Sequence, residues 1–299
     1  MTRILALPAL LVWFAASTAT AADAPACRST VTGDLHLHTL QSQVFRNSRT
    51  IRVLLPDDYD TPANKDRRYP VLYLLDGQNL FDACLSDVSH REWQVDETVR
   101  RLTAEGRIPP MIVVGVDHAG ADRAREYLPY PDYASDPDMQ PQGRRFPDFL
   151  VHEVMPLVNA NYRTLTGHAN TGLGGSSYGG VATLYALMAR PMEFGYGLIE
   201  SPSLQIGMGQ LVRDTNPFIA RPVRIFMGFG GLEAEDPMFQ ALMVGLCRTV
   251  ESNLRAQGYD ESMLRFVVTP GARHTEDSWA ARLPDALTFM FSDWKAPAK

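Results

Sequence analysis

Residues 173–180 read LGGSSYGG, four glycines around two adjacent serines. The pattern Gly-x-Ser-x-Gly fits in one register only: Gly175, Ser177, Gly179. TGLGG (171–175) before it reads as a short strand, and YGGVATLYALMAR (178–190) after it as a helix. A sharp strand-to-helix turn of this kind holds one serine in a strained conformation with its hydroxyl exposed. Glycine is needed at 175 and 179 because side chains there meet neighbouring backbone in so tight a turn. With Gly and Ser each near 7% of residues, chance supplies about 0.1 such matches in a chain of this length, and the flanking pattern lowers that further. Ser177 is the candidate nucleophile, and Ser176 is its passenger. A phosphate-cradling loop is the poorer reading, since no Lys-Ser/Thr follows.

Working outward, DLHLHTLQSQVF (34–45) and RTIRVLLP (49–56) have strand-like lengths and predict a leading antiparallel hairpin. YPVLYLLDG (69–77) and PMIVVGVD (110–117) are continuous apolar runs, suited to central parallel strands covered on both faces. Between them, Trp93, Val95, Val99 and Leu102 fall at helical spacing, with Gly106 as a stop. Residues 118–148 are rich in Pro, Asp and Tyr without periodicity, the kind of long loop that shapes sites. A helix is expected over 146–162, strands at 194–201, 222–230 and 265–271, and helices at 238–257 and 278–294. Strands alternating with helices predict an α/β domain, a mostly parallel central sheet with helices on both faces. No linker or repeat divides residues 22–299, which are read as one domain.

The N-terminus differs in kind. A short basic start, the apolar run ILALPALLVWFAAS and the small residues Ala19-Thr20-Ala21 read as an export signal cleaved after residue 21. The apolar run is too short to favour a spanning helix. Of 299 residues, 28 are Lys or Arg and 34 Asp or Glu, a formal net charge of −6. Removing residues 1–21 takes away one base, Arg3, and leaves −7. An acidic chain without a basic face argues against a nucleic-acid partner, and no basic run suggests anionic lipid. The expected product is periplasmic or secreted, without stable membrane insertion. Export puts Cys27, Cys84 and Cys247 in an oxidising compartment. Cys247 lines up with Met243 and Val250 on a helix and reads as a buried thiol, which leaves Cys27 and Cys84 free to pair; sequence alone does not establish that bond.

A serine hydroxyl is a poor nucleophile at neutral pH and needs a base. Of seven histidines, His274 follows the last predicted strand in the loop TPGARH, where the base of a hydrolase in Ser–acid–His order falls. His36 and His38 read as hairpin residues, His152 lies on a helix, and His90 and His118 occupy loops. The third member is a carboxylate between serine and histidine. Glu233 follows the penultimate strand directly; Glu200, ending the strand after the nucleophile helix, is the second choice. Glu235 and Asp236 are better explained as a helix start. The oxyanion of the tetrahedral intermediate needs backbone donors, here the N–H groups of Tyr178 and Gln78, with Gly77 permitting the turn.

Several stretches together resemble the putative-esterase branch of the α/β-hydrolases: NSRTIRVLLPDDYD, RRYPVLYLLDGQNLFD, EWQVDETVRRLTAEGRIPPMIVVGVDH, RAREYLPY, GGSSYGG and ESPSL. That branch includes siderophore, feruloyl and acetylxylan esterases, S-formylglutathione hydrolases and mycolyltransferases, and these stretches look like its exported siderophore-esterase-like group. The resemblance covers nearly the whole chain after the leader. It implies the α/β-hydrolase fold, Ser177 as nucleophile, His274 as base, Glu233 of GGLE as acid, a small-molecule ester substrate, no metal and no organic cofactor. It leaves acyl group, alcohol, oligomeric state and the choice between hydrolysis and acyl transfer open. Arg123, Arg125, Tyr127 and Tyr130 of the long loop are candidates for substrate binding; the competing reading pairs Arg125 with Glu126 to stiffen the loop. Trp279 is expected to pack the histidine loop, with no chemical role. A rival of another class is a catalytically silent hydrolase fold kept for binding.

Overall fold

The computed structural model describes residues 27–86, 90–216 and 224–296. The predicted leader, 1–21, lies outside them. The hairpin is β1 (Asp34–Gln41) and β2 (Ser48–Leu55), paired antiparallel. Then come β3 (Val71–Leu75), α1 (Val95–Ala104), β4 (Ile112–Val116) and the short α2 (Arg123–Tyr127). A helical run follows as α3 (Phe146–Phe149), a π-helical turn Leu150–Val154 and α4 (Met155–Asn161). The rest is β5 (Thr171–Ser176), α5 (Tyr178–Ala189), β6 (Tyr196–Glu200), α6 (Gln210–Asp214), β7 (Arg224–Gly230), α7 (Pro237–Ala256), β8 (Leu264–Thr269) and α8 (Glu276–Phe291). Among the described residues, eight strands join one sheet in the order β1-β2-β4-β3-β5-β6-β7-β8, parallel from β4 through β8.

Period-two alternation divides the core between two faces. Leu72 and Leu74 of β3, Val113 of β4, Leu198 of β6 and Phe226 of β7 pack with Val95, Val99 and Leu102 of α1 and Leu283, Leu287 and Met290 of α8. Val71, Tyr73 and Leu75 of β3, Leu173 of β5, Ile199 of β6 and Met227 of β7 pack with α3, α5 and the buried stripe Met243, Cys247, Val250 and Leu254 of α7. Every residue of β3, β4 and β5 is buried, as continuous apolar runs imply for strands covered on both sides. The chain moves from β3 outward to β4 and then returns to β5. A crevice therefore opens at the carboxyl ends of β3 and β5, the place where open parallel sheets hold ligands.

Cys27 and Cys84 are joined in a disulfide with Cα atoms 5.6 Å apart, and the buried thiol is Cys247. The bridge spans 57 residues and pins a segment whose Ser29 hydroxyl donates to Asp82 at 2.7 Å. Closing a loop of that size restricts the unfolded chain by about 4 kcal/mol. Cys27→Ser with Cys84→Ser is expected to lower unfolding free energy by about that amount in a denaturant titration, with the non-reducing wild type as reference.

The same segment covers three carboxyls that begin or precede α1. Glu92 and Asp96 are buried, and Glu97 lies beside them with its carboxyl pushed up to about 7 by burial and by its hydrogen bond to Asp96. Burial also raises Glu92. A carboxyl whose folded pKa lies above its unfolded value takes up a proton on folding. Its stabilisation is complete below about pH 4.5 and is lost as pH rises through about 7. The denaturation midpoint is therefore expected to fall between pH 5 and 8, and Glu97→Gln, which removes the titrating group, to flatten that fall.

Candidate active site

The turn at Ser177 runs from strand to helix, as the sequence predicts. Ser177 joins β5 to α5 with φ 57 and ψ −122, a region that L-residues enter only under strain. A Cβ at Gly175 would lie 2.8 Å from the Gly179 carbonyl carbon, and one at Gly179 would lie 3.0 Å from Asp76 Oδ2. The Ser177 N–H donates to the Glu200 carbonyl at 3.0 Å, which ties the turn to the end of β6. Tyr178 opens α5, so its N–H belongs to the first turn, ahead of the helix's own acceptors.

His274 lies in the loop after β8, and its Nδ1 is 2.8 Å from Glu233 Oε2. Glu233 follows β7 and its side chain is 1% exposed. Its other oxygen, Oε1, accepts the Gly230 N–H and the Ser201 hydroxyl, each at 2.5 Å. Gln240 Oε1 accepts the Glu233 and Ala234 N–H groups at 2.7 and 2.9 Å, fixing the loop backbone. Glu200 is fully buried and faces Arg282, whose Nε is 2.9 Å and Nη2 2.7 Å from its Oε2. Burial, only partly offset by Arg282, pushes the Glu200 carboxyl up to about 7. Asp236 caps α7 by accepting the Met238 N–H at 3.0 Å.

Ser177 and His274 line one cavity of about 240 Å³, together with Asp76, Arg123, Glu276 and Trp279. Hollows of about 300 and 600 Å³ lie at the opposite, amino ends of the parallel strands, bordered by Tyr69 and Met111 in one and by Tyr196 and Arg224 in the other. They are larger; the second is also lined by His168, Ser262 and Asp293, but there Ser262 Oγ donates to Asp260 and Asp293 pairs with Arg224.

In the loop after β3, Gly77 permits the turn through lack of space for a side chain. Asp76, rather than Gly77, takes the left-handed conformation, with φ 58 and ψ 48. Gly77 is required because a Cβ there would lie 2.7 Å from the Gly115 carbonyl carbon of β4. Gln78 is buried and its Oε1 accepts the His118 N–H at 3.3 Å; its neighbours Asp76 and Asn79 border the cavity.

The four loop candidates separate. Arg123 lines the cavity, held by Asp76 through Nε at 2.7 Å and Nη2 at 2.9 Å, between the rings of Tyr127 and Tyr178 at 5.3 and 5.4 Å. Burial alone would lower its pKa, but the Asp76 carboxylate overcomes this and holds it above the ordinary arginine value. Tyr127 does not face the cavity: it is completely buried, and its hydroxyl accepts the Asp76 N–H at 3.2 Å. Arg125 stands half-exposed beside Asp122 at 3.6 Å. Glu126 does not pair with Arg125 as the competing reading had it; it is buried against Arg49 and Asn47. Tyr130 borders a separate hollow of about 460 Å³ with Arg144 and Gln210, and its hydroxyl donates to Asp214.

Sequence reasoning missed Asp76, Ser201, Arg282 and Glu276. Asp76 and Ser201 carried a signal, in the quoted stretches RRYPVLYLLDGQNLFD and ESPSL; Arg282 and Glu276 carried none. Trp279 does pack on the histidine, ring centroids 5.1 Å apart at 84°, but its indole N–H also donates to Ser201 Oγ at 2.9 Å. His118 proves to be a cavity residue.

Comparison with known proteins agrees with this architecture. The chain is 24% identical over 255 residues to the uncharacterized Bacillus subtilis protein YbbA, covering 82% of this chain and 93% of that one. It is 27% identical over 266 residues to an endo-1,4-beta-xylanase/feruloyl esterase of Xylanibacter ruminicola, covering 87% of this chain and 31% of that protein. Against the ferri-bacillibactin esterase BesA of Bacillus subtilis it is 24% identical over 191 residues, 55% of this chain and 60% of the relative. The crystal structure of an IroE-like serine hydrolase from Shewanella oneidensis superposes with a TM-score of 0.70 at 21% identity, over 88% of this chain and 82% of that one, which shows the shared α/β-hydrolase fold. With residues 42–290 matched by its family description, the chain belongs to the Putative esterase family.

Proposed function

We propose that this protein is an exported serine carboxylesterase working through an acyl-enzyme, with Ser177 as nucleophile, His274 as base and Glu233 as acid. The observation that carries the reading is the 2.8 Å contact of His274 Nδ1 with Glu233 Oε2, in a cavity that the strained Ser177 also lines. With Nδ1 committed to Glu233, Nε2 is the nitrogen left to take the Ser177 proton. Ser177 Oγ then bonds to the ester carbonyl carbon, and the oxyanion is received by the N–H groups of Tyr178 and Gln78. Collapse breaks the bond to the alcohol, which leaves with the proton from His274. Water, deprotonated by the same histidine, releases the acid and restores Ser177.

A cavity of about 240 Å³ is smaller than the ~300–1,000 Å³ typical of drug-sized ligands, so it suits the reacting ester and the atoms beside it, the rest of the substrate lying at the mouth. The lining residues Trp93 and Trp279 suit an aromatic acyl group there. Among such esters the siderophore type is the first reading, in keeping with the motifs shared with siderophore esterases and with the bacillibactin esterase relative. A feruloyl ester is the second, favoured by the longer match to the feruloyl esterase relative. Export rests on the leader at 1–21 and on the disulfide, a bond that persists in oxidising compartments. Among the described residues, no helix is long and apolar enough to cross a membrane.

The test is covalent capture. A fluorophosphonate is expected to stop turnover of p-nitrophenyl butyrate and leave one adduct, located on Ser177 by peptide mass spectrometry. An adduct elsewhere, or full activity after saturation, sinks the assignment. Turnover of trilactone, feruloyl and acetyl-sugar esters then ranks the substrates.

A further inference from the structure

Directly behind Glu233 lies a run of buried polar groups that the acyl-transfer steps do not use. Ser201, one residue past β6, is 1% exposed. Its hydroxyl oxygen is 2.9 Å from Trp279 Nε1 and 2.5 Å from Glu233 Oε1. An indole N–H only donates and a carboxylate only accepts. The hydrogen bonds therefore have one direction, from Trp279 to Ser201 and from Ser201 to Glu233. Arg282, anchored by Glu200, stands 3.5 Å from the same hydroxyl and adds positive charge behind it. The Gly230 N–H supplies the second donor to Oε1, which leaves Oε2 for His274. The same Trp279 sets its ring edge-on to His274, so one side chain touches the base and aims the donor to the acid.

We propose that Ser201 is a positioning residue for the acid: aimed by Trp279, its hydroxyl fixes the Glu233 carboxylate with Oε2 on His274 and draws charge toward Oε1. The inference rests on the triad proposed above. Its consequence is electrostatic as well as steric. A carboxylate that loses a donor becomes more basic and attracts imidazolium more strongly, so the His274–Glu233 pair binds its first proton at higher pH. The groups around the Glu233–His274 pair come from four elements. They are Glu200 at the end of β6, Arg282 and the buried Glu276 on α8, the Cys247 thiol of α7, which burial and Glu233 hold neutral, and His274 itself. Asp76 acts on Glu276 from the β3 loop. All of these remain when the Ser201 hydroxyl is removed.

Ser201 has φ 43, a left-handed conformation that glycine adopts without penalty, so Ser201→Gly deletes the hydroxyl without adding backbone strain. The variant is expected to lose about 10- to 100-fold in kcat, the range for a hydrogen bond to a charged group, and to move the acid limb of kcat/KM up by about one pH unit. Trp279→Phe keeps the ring beside His274 and is expected to move the limb the same way, with the two shifts not adding in the double variant. NMR titration of the His274 ring reads the same upward shift without substrate. An unchanged limb and His274 titration in Ser201→Gly overturns the proposal, even if kcat falls. A wild type with no Ser177-dependent turnover removes the triad reading instead, which the capture experiment shows separately.

Discussion

Ser177→Ala is expected to lower kcat for p-nitrophenyl esters by about five to six orders of magnitude, the loss seen when the nucleophile of a serine–histidine pair is deleted. Ser176 lines the same cavity but is not expected to replace it. Ser176 precedes the turn inside β5, with its backbone paired to Glu200, and does not share the strained geometry of Ser177. Residual turnover comes from oxyanion donors and substrate binding alone. Stability should respond differently from rate. Alanine keeps the Cβ and so keeps the backbone strain at φ 57, leaving unfolding free energy within about 0.5 kcal/mol of wild type. Ser177→Gly relieves that strain and is expected to gain about 1 kcal/mol while being equally inactive. A serine held against its preferred conformation only for chemistry has this signature. Equal residual rates in wild type and Ser177→Ala would leave the rival reading, a silent fold kept for binding.

The parts of this protein legible in its sequence are those in which local pattern and tertiary demand coincide. The runs at 71–75 and 112–116 read as central strands because burial on both faces leaves no polar position. The buried stripe ending in Cys247, Val250 and Leu254 read as a helix because only one side of α7 meets the sheet. By contrast, α2 and α6 span five residues each, too short for a 3.6-residue period to repeat. At the site, Ser177 announced itself because its constraint is local, a turn closed within four residues. Arg123 and Asp76 are 47 residues apart, and nothing near either names the other. Tyr127 went astray for a related reason: position in a loop says nothing about which way a ring turns, and this one turns inward.

The choice between the two glutamates tests how far chain order is a guide. Glu233→Gln is expected to cut kcat by about four orders of magnitude with little change in KM, because an amide opposite Nδ1 favours the wrong imidazole tautomer and cannot stabilise the imidazolium. Stability should change little beyond the weakening of the hydrogen bonds from Ser201 and Gly230 to Oε1. Glu200→Gln should do the reverse. Above about pH 7, where the Glu200 carboxyl is ionised, this leaves the Arg282 guanidinium buried without its counter-charge, a loss of about 3–5 kcal/mol in unfolding free energy that shrinks as pH falls. The surviving folded protein should keep kcat within about tenfold, since Glu200 meets Arg282 where Glu233 meets His274. The two carboxylates end adjacent parallel strands, so position relative to the sheet gives either a route to the histidine loop. What separates them is the partner each already has: a charge spent on a buried arginine cannot also serve an imidazolium. If instead Glu200→Gln abolished turnover while Glu233→Gln merely destabilised the fold, the acid would belong to β6.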